Sequence, residues 1–248
     1  MMAPVNPFVA AIGLSALGSL GGVLMASIFL VLGDSLRKKL VPWLISYAVG
    51  TLLGAALLGL LPEALDTLAP PAVFGSLLGG ILTFFVLEKL VLWRHCHDTE
   101  DCQLHNSAAS LVVVGDAFHT FVDGVVIATA VMVSMPLGIT TALAVVAHEI
   151  PQEVGDVAIL LHSGHSRSKA LGLNVLSGLA GIVGAGAMLF FAQSLPALLP
   201  YVLAFAAGNF LYVAMADLIP SLHRGNVDAS ALRQFALITA GVATIVLL

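Results

Sequence analysis

Eight times between Phe8 and Leu248 the chain passes through a predominantly apolar run of twenty or more residues. The runs are Phe8–Leu32, Leu40–Ala64, Pro71–Trp93, Ser107–Val133, Leu137–His162, Ala170–Gln193, Ala197–Ser221 and Ala229–Leu248. A helix needs roughly 17–25 residues to cross the hydrocarbon core of a bilayer, and it satisfies its own backbone there, as hydrocarbon requires. Short connections holding Pro or Gly, among them "LAPPA", "SMP" and "SLP", separate the runs. Only 9% of the 248 residues are charged, against about 25% in soluble domains, so lipid is the solvent this surface suits. The expected fold is all-α: one polytopic membrane domain over residues 1–248 with eight transmembrane helices. The first run lacks a basic flank and is too long for the core of a leader, so it reads as a span.

The basic residues orient these spans. Arg37, Lys38 and Lys39 fall in the first connection, Lys89 and Arg94 flank the third, Arg167 and Lys169 lie in the fifth, and Arg224 and Arg233 flank the seventh. All are on one side, and cytoplasmic loops carry the excess of Lys and Arg, so both termini are expected to be extracytoplasmic. Dispersed basic residues and a net charge of -5 give no footprint for nucleic acid. The third connection, residues 94–106, holds His95, Cys96, His97, Cys102 and His105. It falls on the reducing side, where a disulfide is not expected, and its spacing matches no standard zinc module. A solvated loop is its ordinary reading and a regulatory metal loop its functional one.

Two spans carry what an apolar helix should not. The fourth reads "GDAFHTFVDG" and the fifth "HEIPQEVGD". Asp116, His119 and Asp123 recur at i, i+3 and i+7 on one helix face. His148 and Gln152 stand at i, i+4, with Glu149, Glu153 and Asp156 as a neighbouring stripe. An ionised acid at mid-bilayer costs roughly 2.5–3.5 kcal/mol on translocon scales, so the five acids here would cost on the order of 15 kcal/mol against lipid. They must face protein, water or a cation.

Counting from the cytoplasmic ends, Asp123 and His148 share a central level, and His119 and Gln152 share the next level inward. Asp116 and Glu153 come below, then Asp156, then His162 at the inner mouth, which makes a candidate exit path. Glu63 and Asp66 end the second span on the outer side as a candidate entrance, although acids at a helix end are ordinarily solvated caps. Two imidazoles, a carboxylate and an amide oxygen suit Zn²⁺ or Fe²⁺ better than Ca²⁺ or Mg²⁺. Pro151 removes its own N–H and presses on the carbonyl of Ala147, which is expected to open the helix beside His148. Gly18–Gly22, Gly50–Gly54 and Ser177–Gly181–Ala185 are spacings for close helix packing.

"HTFVDG" followed by "HEIPQEVGD" resembles the signature of the ZIP (Zrt-, Irt-like) metal transporters, in which the segments usually read HNFxDG and HEIPHExGD. The resemblance extends to "LLPEAL" at the end of the second span and "ADLIPSL" at the end of the seventh, and so covers essentially the whole chain. It implies uptake of a divalent cation, commonly Zn²⁺, Fe²⁺, Mn²⁺ or Cd²⁺, towards the cytoplasm without ATP hydrolysis. It places the metal on His119, Asp123, His148 and Gln152. It also implies an elevator-like motion of the first, fourth, fifth and sixth spans against the other four, often in a homodimer.

The departures matter too. Thr120 replaces the usual Asn, Gln152 the usual His or Glu, Gly181 an acid that helps hold a second metal in binuclear relatives, and Gly59 a second-span His. One transport metal is therefore expected, with a weaker second site at Glu149 if any, and the neutral Gln152 favours release and micromolar affinity. Both histidines must be neutral to ligate, so acid is expected to weaken binding. An intramembrane zinc metalloprotease is the competing reading, because "HEIPQE" is one residue short of HExxH. Gln152 at the second ligand position and Pro151 in the turn oppose it. A compact chain without a large soluble domain points to a bacterial inner membrane.

Overall fold

The computed structural model describes residues 6–93, 104–192, 194–223 and 231–248. His95, Cys96, His97 and Cys102 lie outside these residues, and the side chain of His105 is likewise outside the description. The described residues form ten α-helices and no strand. They are α1 (Pro7–Val31), α2 (Asp34–Gly54), α3 (Leu61–Thr67), α4 (Pro70–Trp93), α5 (Leu104–Val133), α6 (Met135–His162), α7 (Arg167–Ala192), α8 (Leu199–Tyr212), α9 (Ile219–His223) and α10 (Ala231–Leu247). Because α5 begins at Leu104, the last residues of the expected third loop are helical.

Six segments are long and apolar enough to cross a membrane: Pro7–Phe29, Lys39–Thr67, Pro70–Lys89, Val112–Val133, Arg167–Ala192 and Pro196–His223. This is a polytopic membrane protein. α6 falls short of that standard because its polar stretch dilutes its apolarity, and α10 because it has 17 residues.

Local chemistry sets the ends. Asn6 accepts from the amide of Phe8 at 2.9 Å with Pro7 at the first helical position, and Ser134 caps α6 through the amide of Leu137 at 3.3 Å. Gly164, at φ +84°, takes the left-handed conformation that ends α6, with His165 N–H donating back to the Leu160 carbonyl. Two prolines act in a way the sequence did not announce. A π-helical stretch, Ala55–Leu60, precedes Pro62, and another, Val213–Leu218, precedes Pro220. Proline has no N–H to donate, and just ahead of each one the ladder widens: Leu61 N–H reaches Ala56 and Ile219 N–H reaches Ala214. Pro151 behaves otherwise. The expected opening of α6 is not a break, since the helix runs on from Met135 to His162 through it. One missing bond within a long, closely packed helix is tolerated.

The helices associate in two blocks. α5 packs along α7, α6 along α1, and these four contact one another in further pairs. α4 packs along α8, and α2 along α10. α2 meets α6 across the boundary. Small residues permit the closest approaches. A Cβ on Gly124 would stand 1.8 Å from the carbonyl oxygen of Gly181, and one on Gly184 would stand 2.1 Å from that of Phe121, so α5 and α7 touch backbone to backbone. Gly50 meets the carbonyl of Ile238 on α10 in the same way, and Gly18 and Gly22 lie against Val145 and Glu149 of α6. Leu52, Leu60, Ile127, Leu203 and Phe210 fill the interior around these contacts.

Candidate metal centre

α5 and α6 turn their polar faces towards each other inside the helix bundle. His119 Nε2 lies 3.1 Å from His148 Nε2 and 3.5 Å from Asp123 Oδ2, and His148 Nε2 lies 3.1 Å from the same oxygen. His148 and Asp123 are each 1% exposed and His119 8%. The Nδ1 of His148 stands 2.9 Å from the carbonyl of Ala144, one turn back on α6. That nitrogen therefore carries the proton and donates, which leaves the Nε2 lone pair aimed into the triangle. His148 Nε2 cannot then donate to Asp123, and neither oxygen of Asp123 has a hydrogen-bond donor.

A tetrahedral zinc shell with bonds of about 2.0–2.1 Å has ligand-to-ligand edges of about 3.3 Å. Edges of 3.1, 3.1 and 3.5 Å therefore match one face of that tetrahedron. A fourth group joins them. Glu149, fully buried, has an oxygen within 4.8 Å of the other three donors. Neither of its oxygens has a hydrogen-bond donor. With the His148 lone pair turned inward, His119 Nε2 is the only imidazole nitrogen that could donate among these groups, so two buried carboxylates without donors of their own need a cation or protons.

Gln152 also reaches the neighbouring level. Its amide nitrogen donates to Asp116 Oδ1 at 3.2 Å, one level further along α5. Asp116 and Glu153 are buried, Asp156 is half-buried, and His162 is exposed at the end of α6. Asp116, Glu149 and Glu153 form a second set whose oxygens lie within 4.8 Å of one another, and Asp156 belongs to neither set. Glu63, half-buried, and Asp66, exposed, sit on α3, which packs on α8 and α4.

Other residues at the site were not anticipated. Asn174 of α7 donates its amide to the Glu153 carboxylate, and Ser177 donates its hydroxyl to Asp116 Oδ2. The only signal was a polar pair at i, i+3 in an apolar span, which Ser177 disguised as a packing residue. Gly181, on the same helix, faces Ser19 and Thr120 closely: a Cβ there would lie 2.9 Å from Ser19 Oγ and 3.2 Å from Thr120 Cγ2. Across the block boundary the site meets rings. Phe84 of α4 sits edge-on to His119 with centroids 5.5 Å apart, and Phe210 of α8 sits edge-on to His148 at 5.9 Å.

Comparison with known proteins places this geometry. The model of the ZIP zinc transporter family matches residues 93–248. Zinc transporter ZIP13 of Pongo abelii is 33% identical over 237 residues, covering 88% of this chain and 71% of that protein. Zinc transporter YKE4 of Saccharomyces cerevisiae is 28% identical over 250 residues, covering 86% and 71%. Zinc transporter ZIP10 of Mus musculus is 35% identical over 135 residues, covering 54% of this chain and 16% of that protein. The family and these relatives are transporters and not enzymes, which sets aside a proteolytic role for the His148–Gln152 stretch. Matched by that family over more than half its length, and by a relative one-third identical along most of it, the chain belongs to the ZIP zinc transporter family.

Proposed function

We propose that this chain carries a divalent transition-metal cation, zinc first, across the bilayer into the cytoplasm without ATP hydrolysis. The observation that carries the reading is the triangle of His119, Asp123 and His148 donors at the spacing of a tetrahedral zinc shell. Fe²⁺, Mn²⁺ and Cd²⁺ are further candidate substrates, since imidazole and carboxylate accept several divalent ions. The names of the matched relatives favour zinc.

In this reading all eight runs cross the membrane within one domain. α6 can do so because its acids face α5 and α7 and not lipid, and α10 because 17 residues extend about 25 Å. The one-sided basic residues put both termini outside. Alternating access comes from the block of α1, α5, α6 and α7 moving against α2, α4, α8 and α10. The division of helix packing supports this, as does the confinement of every member of both ligand sets to α5 and α6.

The ion enters past Glu63 and Asp66 and leaves along Asp116, Glu153, Asp156 and His162. The 94–106 segment is a regulatory loop, and two copies form the working unit. The membrane of this reading is a bacterial inner membrane, although the relatives named above come from animals and yeast.

Zinc flux into proteoliposomes tests the proposal. The parent should fill the vesicles, with Fe²⁺, Mn²⁺ and Cd²⁺ measured in competition, and His148→Ala should fall to the leak rate. Parental flux through His148→Ala would remove the basis of the reading.

A further inference from the structure

We propose that Phe84 and Phe210 set the metal selectivity of the imidazole site, holding it to a four-coordinate ion such as Zn²⁺ by keeping water out of the ion's remaining coordination positions. Six-coordinate Mn²⁺ and Fe²⁺ are thereby disfavoured. The inference rests on the transport reading above and narrows its substrate.

Phe84, His119, His148 and Phe210 form a row of four rings. Each is edge-on to the next, with centroids 5.5, 5.3 and 5.9 Å apart and planes at 80°, 85° and 62°. The outer rings come from α4 and α8, the inner two from α5 and α6. All four are buried, at 7%, 8%, 1% and 1% exposure in that order. Each imidazole therefore stands between two other rings, in the edge-to-face arrangement that aromatic quadrupoles prefer. Neither can swing aside to enlarge the shell without breaking a contact.

Two histidines and one carboxylate are an ambiguous set. Zinc completes it with a fourth ligand, whereas Fe²⁺ holds the same three groups with further positions open to water. Mn²⁺ likewise favours six ligands, mostly oxygen. What separates these ions here is the number of donors and what surrounds them. His119, Asp123, His148 and Glu149 offer one ligand atom each, which makes four. A six-coordinate ion would need two more, and water is the usual source. On the side of α4 and α8 such a water would meet ring edges, which present C–H groups and no lone pair. Its protons would be left without acceptors in a buried, low-dielectric site, a state that is costly. The rings also take up the room: a water needs about 30 Å³, far less than a benzene ring vacates when it is removed.

The test uses Co²⁺ as a spectroscopic probe bound to the purified full-length protein, with Zn²⁺ and Mn²⁺ flux into proteoliposomes as a second readout. Four-coordinate Co²⁺ absorbs intensely in the visible and six-coordinate Co²⁺ only weakly. The parent should give the intense spectrum. Phe84→Ala and Phe210→Ala should give the weak one, and their ratio of Zn²⁺ to Mn²⁺ flux should fall about tenfold or more, the scale on which pocket shape discriminates. Phe84→Leu, which keeps the apolar bulk, should retain both the spectrum and the ratio. A merely structural role for the rings would lower both fluxes together and leave the ratio unchanged, which would overturn the assignment. So would a six-coordinate spectrum in the parent, a result that needs no variant, or a parental spectrum in Phe84→Ala shown to fold by size-exclusion chromatography. Spectral changes as expected in a parent without flux would instead sink the transport reading and leave the role of the rings standing.

Discussion

Asn174 and Ser177 bring no charge to the acids they touch, so what they supply is direction. Each fixes one carboxylate oxygen and so turns the other towards α6 or α5. Partners of this kind around metal ligands are worth about 10–100-fold in affinity. Asn174→Ala and Ser177→Ala should each weaken metal binding within that range by titration calorimetry, with helix content unchanged by circular dichroism. Unaltered affinity in both would mean the carboxylates need no orientation. His119 and Asp123 were readable in advance because i, i+3 and i+7 arithmetic puts them on one face with Asp116, and His148 because it opens the polar stretch of the next span, where charge in lipid demands a partner. Asn174 and Ser177 were not, because small polar residues in a span look the same whether they pack or donate. Nor could spacing foresee that Gln152 turns to Asp116 at 3.2 Å, since a flexible amide has several rotamers within reach of the site.

At the scale of the helix, α5 owes its position to a side where it has no side chains. Gly124→Ala would drive a methyl group to 1.8 Å from the Gly181 carbonyl oxygen and force α5 off α7. Overpacking of this kind costs about 1–3 kcal/mol or more, so the variant should unfold at a clearly lower temperature in detergent. Gly186→Ala on α7, which meets nothing within 4 Å, is the control and should be neutral or gain up to about 1 kcal/mol from helix propensity. Equal midpoints for the two would contradict the backbone contact. The apolar runs gave every long helix to within a few residues, because length and hydropathy are local properties. The widened turns before Pro62 and Pro220, and the unbroken passage through Pro151, depend on how neighbouring helices support a missing bond, and no local pattern records that.

Seen as a whole, the molecule divides between a block that carries both ligand sets and a block that carries none of their members. Tying the blocks together should therefore stop transport without stopping binding. A Cβ at Gly59 would lie 3.4 Å from Leu137 Cδ1, which spans the boundary between the first π-helical stretch and α6. With Cys96 and Cys102 replaced by Ser, a short thiol cross-linker between Gly59→Cys and Leu137→Cys should abolish zinc flux and preserve zinc binding. The same linker between Gly18→Cys and Val145→Cys, both within the first block, should leave flux near the uncross-linked rate. Flux that survives the first linker would rule out relative motion of the blocks. The edges of Phe84 and Phe210 against His119 and His148 matter most in this light. Ring edges have no single partner to hold and no directional bond to break. In the proposed motion they would serve as a bearing, over which the ligand-carrying block slides past its neighbour.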